Sequence, residues 1–130
     1  MKEKISPPLA LSLLLGILPY LISCSQQKDH SYAKKLFQEK QCIACHSIDG
    51  RQKSQGPTLK GIFGKTVVVL TKDKKQKKIK RDIAYLKRAI RNPQAEIVKG
   101  YNQIVMPTYG KDQLSDKDVQ ALIEYIQSLK

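Results

Sequence analysis

Cys42-Ile43-Ala44-Cys45-His46 restricts this chain more than any other stretch. Two thiols three positions apart, with a histidine directly after the second, form the attachment pattern of a c-type haem. The spacing has a chemical reason. Thiolates one helical turn apart can each add to one vinyl group of the porphyrin, so that Cys42 and Cys45 form two thioethers. His46 then lies beneath the macrocycle, where its imidazole can take an axial position on the iron. A chain tied in this way has to fold around a large apolar disc. An independent signal stands far downstream in Val105-Met106-Pro107, where Met106 is the only methionine besides Met1. A soft thioether suits the sixth position of an electron-transfer haem, and Pro107 restricts Met106 to extended backbone. These residues predict one covalent haem c with His46 and Met106 as its axial pair, and a single-haem electron carrier.

A chain of 130 residues has room for one domain, and 41% hydrophobic residues make a modest core that a buried haem would enlarge. Of three cysteines, only Cys24 is left outside the haem motif. The formal charge of +13 favours acidic proteins, anionic membranes or nucleic acid, and composition does not choose among them. Lys2 and Lys4 precede an apolar run from Leu9 to Ile22 that is broken by Pro19. The run is shorter than the roughly 17–25 residues of a spanning helix, and has the architecture of a secretory signal. Leu21-Ile22-Ser23-Cys24 resembles a bacterial lipobox, which implies a lipidated Cys24 at the mature N-terminus. An uncleaved anchor, or an ordinary signal with an incidental cysteine, are the alternatives. The expected organisation is a signal peptide over 1–23, a tether over 24–30 and a domain over 31–130. The tether spans at most ~20 Å, so the domain would stay near the periplasmic side of a bacterial membrane.

Within the domain, Tyr32, Ala33, Leu36 and Phe37 mark one face of a helix over Ser31–Gln41. Ser47-Ile48-Asp49-Gly50 is a turn signal. Pro57, after Gly56, is either a plain turn proline or the carbonyl acceptor that orients the His46 ring. Thr66 to Leu70 reads as a strand. The following stretch holds Lys72, Lys74, Lys75, Lys77, Lys78, Lys80 and Arg81, so a short hairpin near 66–80 with a highly charged tip is expected, returning near Lys78–Lys80. That run is either a solvated face or a docking surface for an acidic partner or anionic lipid. Nucleic acid is not expected, because an exported, tethered domain would seldom meet it. Asp82 caps a helix whose core face is Ile83, Leu86 and Ile90 and which Asn92-Pro93 ends. Ser115-Asp116-Lys117-Asp118 opens a last helix with Val119, Leu122, Ile123, Ile126 and Leu129 on its apolar stripe.

In this order the elements resemble class I cytochrome c. The resemblance implies an all-α fold with crossed N- and C-terminal helices around one haem, plus the short β-hairpin. It places Ala33 and Phe37 against Leu122 and Tyr125, and makes Pro57 the acceptor of the His46 N–H. Ala33 stands where the family more often has glycine. Cys42 through Gly50, Gly56-Pro57, Gly61-Ile62-Phe63-Gly64, the valine strand, Ala84-Tyr85-Leu86, Val98-Lys99-Gly100-Tyr101 and Met106-Pro107 resemble a narrower group. It is the cytochrome c domain fused to subunit II of some bacterial haem–copper oxidases. The dinuclear copper half of that subunit has no counterpart, since only Cys24 and His30 lie outside the haem motif among cysteines and histidines. The resemblance thus implies a free-standing electron carrier between a quinol-oxidising complex and a terminal oxidase.

A haem peroxidase or haem-based sensor would instead need Met106 to be labile, and no distal histidine is visible in the sequence. A zinc site wants four convergent ligands, of which Cys45 and His46 are adjacent and only distant His30 could complete the set. A dithiol redox protein would leave both His46 and Met106 without a role.

Overall fold

Asp29 starts the first helix. Its carboxylate accepts the Ser31 N–H at 2.8 Å and the Ser31 hydroxyl at 2.9 Å, and α1 runs over Ser31–Glu39. The computed structural model describes residues 29–51 and 54–130. The expected signal peptide over 1–23, Cys24 and most of the tether lie outside the described residues. Among the described residues no helix is long and apolar enough to cross a membrane.

Helix α1 buries Ala33, Leu36 and Phe37 and stops two residues short of the predicted Gln41. Gln41 has φ 56, in the left-handed region, while the Lys40 and Gln41 amides still find the Leu36 and Gln38 carbonyls at 2.9 Å. This swivel makes the haem motif a separate turn, α2 (Cys42–Cys45). A non-glycine residue in that conformation costs ~1–2 kcal/mol. Helical periodicity could not reveal the break, because no glycine or proline marks it.

After the loop come β1 (Thr66–Thr71) and β2 (Gln76–Lys80), antiparallel, with Val67 opposite Ile79 and Val69 opposite Lys77. The turn between them places Lys74 at φ 60. Helix α3 (Ile83–Arg91) follows, with the Asp82 carboxylate accepting the Tyr85 N–H at 2.8 Å. Its core face is Tyr85, Leu86 and Ile90, whereas Ile83 is exposed. Position 83 lies on the same side of the helix as 86 and 90 but is its first residue, whereas the Tyr85 ring further along is buried. A 3-10 turn at Pro93–Ala95 leads into β3 (Glu96–Val98), which pairs with β1 so that the sheet order is β2-β1-β3. The predicted hairpin is therefore two strands of three. All-α is too narrow a description, because three residues of β3 are too few to show alternation in sequence. The sheet is part of the core: Val69 is fully buried, and Val67, Ile79 and Val98 pack on the buried cluster.

The last helix, α4 (Asp116–Ser128), opens with a reciprocal cap in which Ser115 and Asp118 each bond the other's backbone N–H. It buries Val119, Leu122, Ile123, Tyr125 and Ile126. Helix α1 packs on it, with the Phe37 and Tyr125 rings edge-to-face at 6.0 Å and 76°. Such aromatic pairs contribute ~0.5–1.5 kcal/mol beyond their area. The Tyr32 hydroxyl donates to Asp118 across the same junction.

The Tyr32 hydroxyl holds the Asp118 carboxyl below its ordinary value of 3.8, aided by the Ser115 amide. Lys111 and then Arg91 do the same for Asp116. A depressed folded value means that the stabilisation is complete above 3.8 and lost as pH falls through the lower folded value. Melting followed by circular dichroism should show a modest fall in Tm below that point, because both carboxylates are solvent-exposed. Asp118→Asn should lower the neutral-pH Tm and make the acid fall shallower.

Candidate functional site

Two backbone pairings bring residues 56–59 back onto the haem motif, and a third closes the motif's own turn. The Gly56 N–H donates to the Cys45 carbonyl at 2.7 Å, the Leu59 N–H to the Ser47 carbonyl at 2.8 Å, and the His46 N–H to the Cys42 carbonyl at 2.9 Å. The result sets Pro57 beneath the histidine ring. His46 Nδ1 lies 2.8 Å from the Pro57 carbonyl oxygen. A carbonyl can only accept, so Nδ1 carries the proton and Nε2 keeps a free lone pair. This is the tautomer that an iron ligand requires, and such a partner also fixes the ring plane and raises ligand basicity.

Gly56 makes that approach possible. A Cβ there would lie 2.6 Å from His46 Cε1, 2.8 Å from Nδ1 and 3.1 Å from the Cys45 carbonyl. Its φ is unexceptional, so the requirement is for space rather than for a special conformation.

Both thiols of the motif are free and half-buried. The Cys42 Sγ lies 4.0 Å from the Lys40 carbonyl and the Cys45 Sγ 3.6 Å from Gln55 Oε1. Burial pushes the Cys42 thiol up from its ordinary value of 9.0.

Cys42, Cys45, His46, Pro57 and Met106 all line one cavity of about 470 Å³, closed by apolar side chains from α1, α3 and α4. That volume lies within the ~300–1,000 Å³ range of cofactor sites. Two free thiols, a histidine presenting Nε2 and a thioether around an apolar cavity form a donor set that fits a covalently held haem. Among the described residues, no three His, Cys, Asp or Glu side chains converge as a cluster able to hold a metal ion.

The stretch carrying Met106 is fixed mainly from its C-terminal side. Gln94 Nε2 reaches the Met106 carbonyl at 3.5 Å, while Ile104 and Val105 are exposed. Beyond it, the Tyr109 hydroxyl donates to the Lys40 carbonyl at 2.8 Å. Burial pushes that hydroxyl up from its ordinary value, with the neighbouring cysteines adding to the effect. Arg91 Nη1 lies 3.0 Å from the Tyr109 and Gly110 carbonyls and 2.7 Å from that of Leu114, and Nη2 pairs with Asp116 at 3.0 Å. A single side chain therefore ties α3, the methionine loop and the start of α4. Sequence reading missed Arg91, because a cation in the last turn of a helix already has a local explanation in the helix dipole.

The basic run separates into two parts. Lys72, Lys74, Lys75, Lys77, Lys78 and Lys80 are exposed and outside the cavity, whereas Arg81 is half-buried and lines it. Burial raises the Tyr85 hydroxyl from its ordinary value, and the Arg81 guanidinium opposes part of that rise.

Two variants test this arrangement. Gly56→Ala should displace the His46 ring and lower the yield of protein with haem attached, measured as the ratio of Soret to protein absorbance. Arg91→Leu removes the donor to the Tyr109 and Leu114 carbonyls, while that of Gly110 keeps the Gln113 and Leu114 N–H groups, and should cost about 2–3 kcal/mol in urea unfolding. Arg91→Lys should recover only part of this, since an ammonium lacks the planar fork.

The cytochrome c family model matches residues 31–130. Among curated proteins, cytochrome c oxidase subunit 2 of Alkalihalophilus pseudofirmus is 33% identical over 97 residues, which cover 75% of this chain. They make up 25% of that relative, so the chain spans about a quarter of its length. The family match brings one covalent haem c and an electron-transfer role, and on this evidence the chain belongs to the cytochrome c family.

Proposed function

We propose that Cys42 and Cys45 form the two thioethers, that His46 and Met106 are the axial ligands, and that the domain passes single electrons to a terminal haem–copper oxidase. The observation that carries this reading is the convergence of all four side chains on one cavity, with His46 already held by Pro57 in the ligating tautomer. Haem c supplies a reversible one-electron change at its iron. The protein's part is to hold the ring of His46, present the Met106 thioether and exclude water with apolar walls. Burial and methionine ligation favour the reduced state and raise the potential. A peroxidase would need an acid–base group over an open position. Among the described residues His46 is the only histidine lining the cavity, and the Pro57 bond occupies its Nδ1.

The similarity to an oxidase subunit supports an oxidase as acceptor, and a quinol-oxidising complex is the corresponding donor. The sequence of the first residues supports export with cleavage before Cys24 and lipidation of that cysteine, which would hold the carrier at the periplasmic face of the membrane. The exposed lysines of the hairpin support electrostatic steering onto an acidic partner, an effect that raises association rates by about ten- to a thousandfold and fades with salt.

Acidified organic solvent should fail to extract the haem from the wild type, and Cys45→Ala should leave at most one thioether. Oxidised protein should show a weak near-infrared sulfur-to-iron band that Met106→Ala lacks. Haem released by solvent, or a band retained in that variant, would overturn the ligand assignment. Mass spectrometry of the mature N-terminus tests the lipid on Cys24, and a free unmodified thiol there would exclude it.

A further inference from the structure

The hydrogen-bond register of the sheet shows which side of the lysine-rich strand is open. Arg81 and Lys65 are joined by a 2.9 Å backbone bond, and Thr71 and Lys75 by one of 3.0 Å. In the observed antiparallel register, residues 75, 77, 79 and 81 therefore turn their backbone groups toward β1. Gln76, Lys78 and Lys80 turn theirs away. Because β2 is an edge of the β2-β1-β3 sheet, those groups face no strand. The Lys80 carbonyl takes the Asp82 N–H at 3.0 Å, which leaves the N–H groups of Gln76, Lys78 and Lys80 and the carbonyls of Gln76 and Lys78 for an added strand.

The side chains along this edge are cations with almost no partners. Among the described residues, Lys75 pairs with Asp73 at 3.0 Å, and no ion pair involves Lys72, Lys74, Lys77, Lys78 or Lys80. Alternation puts Lys78 and Lys80 on one face and Lys77 on the other. A lysine-bearing edge repels a second copy of itself, since like charges directly opposite across a ladder are destabilising. The same lysines attract an acidic strand on both of its faces. No large apolar side chain is exposed from Thr71 to Lys80, so nothing on the edge would anchor it in a bilayer.

We infer that the open edge of β2 is a docking site for an acidic, extended segment of a partner protein, which adds to the sheet as a fourth strand. Backbone bonds at Gln76 and Lys78 set its register, and carboxylates on alternating faces meet Lys77, Lys78 and Lys80. This rests on the proposal that the hairpin steers a partner, and adds to it a mode of binding. Strand addition gives affinity through main-chain bonds and selectivity through alternate side chains.

The test uses the haem-loaded protein and a synthetic ten-residue peptide rich in glutamate, its carboxylates placed on both faces of the extended strand. A second peptide of the same sequence has every other backbone nitrogen methylated, which keeps the charge and removes the strand-pairing donors. The first peptide should slow amide hydrogen exchange at Gln76, Lys78 and Lys80, and bind at least tenfold more tightly than the methylated one. Lys78→Pro removes only an outward N–H, a place where an edge strand tolerates proline. It should weaken binding more than Lys78→Gln does, with the haem spectrum unchanged in both. Equal binding of the two peptides, or equal effects of the two substitutions, would overturn strand addition and leave a diffuse cationic surface. Binding to vesicles containing phosphatidylglycerol but to neither peptide would assign the edge to lipid instead. Neither of these results would touch the haem ligands or electron transfer, which are read from the spectrum.

Discussion

One hydrogen bond, from His46 Nδ1 to the Pro57 carbonyl, sets conditions that much of the surrounding chain exists to meet. It requires residue 56 to have no side chain, because a Cβ would overlap the ring. It requires residues 56–59 to return onto the haem motif, which the Gly56–Cys45 and Leu59–Ser47 bonds accomplish. The ring cannot rotate without breaking a bond in a part-buried site, so its coordinating nitrogen is aimed before any cofactor arrives.

The part of the cavity lining that carries Met106 is built on another principle. Met106 has only a long contact from Gln94 to its own carbonyl, and its neighbours Ile104 and Val105 are exposed. Order is imposed from a distance, through Tyr109 on Lys40 and Arg91 on three carbonyls. The histidine side is thus rigid by direct contact, and the methionine side by anchors several residues away. Local opening is easier where contacts are sparse and side chains solvated, so the two walls differ in mobility although they serve one cavity.

Much of this was legible in sequence because each feature had a short-range cause. Cys42-Ile43-Ala44-Cys45-His46, the Asp82 and Ser115 caps and the α4 stripe depend on neighbours within a turn or two, and spacing reveals them. The break at Gln41 was hidden, since it needs a left-handed residue that no glycine announced. The third strand was hidden because three residues carry no period. Ile83 misled, since apolar spacing gives the face of a helix but not how far along the helix the core extends. Arg91 and Arg81 show the general limit: an arginine looks like surface until the carbonyls or the cavity that claim it are brought together by the fold. Cys24 belongs to a stretch whose reading remains a proposal from sequence alone.

The pairing of α1 with α4 joins the two ends of the folded segment, through Phe37 on Tyr125 and Tyr32 on Asp118. In polymer terms the domain is a closed ring whose clasp is formed by the last helix to be synthesised. Closing a ring is an entropic debt that grows slowly, by about 0.6 kcal/mol for each doubling of its length. The clasp is nonetheless the contact most separated in sequence, so it does not form until everything between has been made. Until then the cavity lacks the wall that Leu122 and Ile126 provide. A chain in which α4 has not yet docked therefore leaves the cavity that holds Cys42 and Cys45 open on that side.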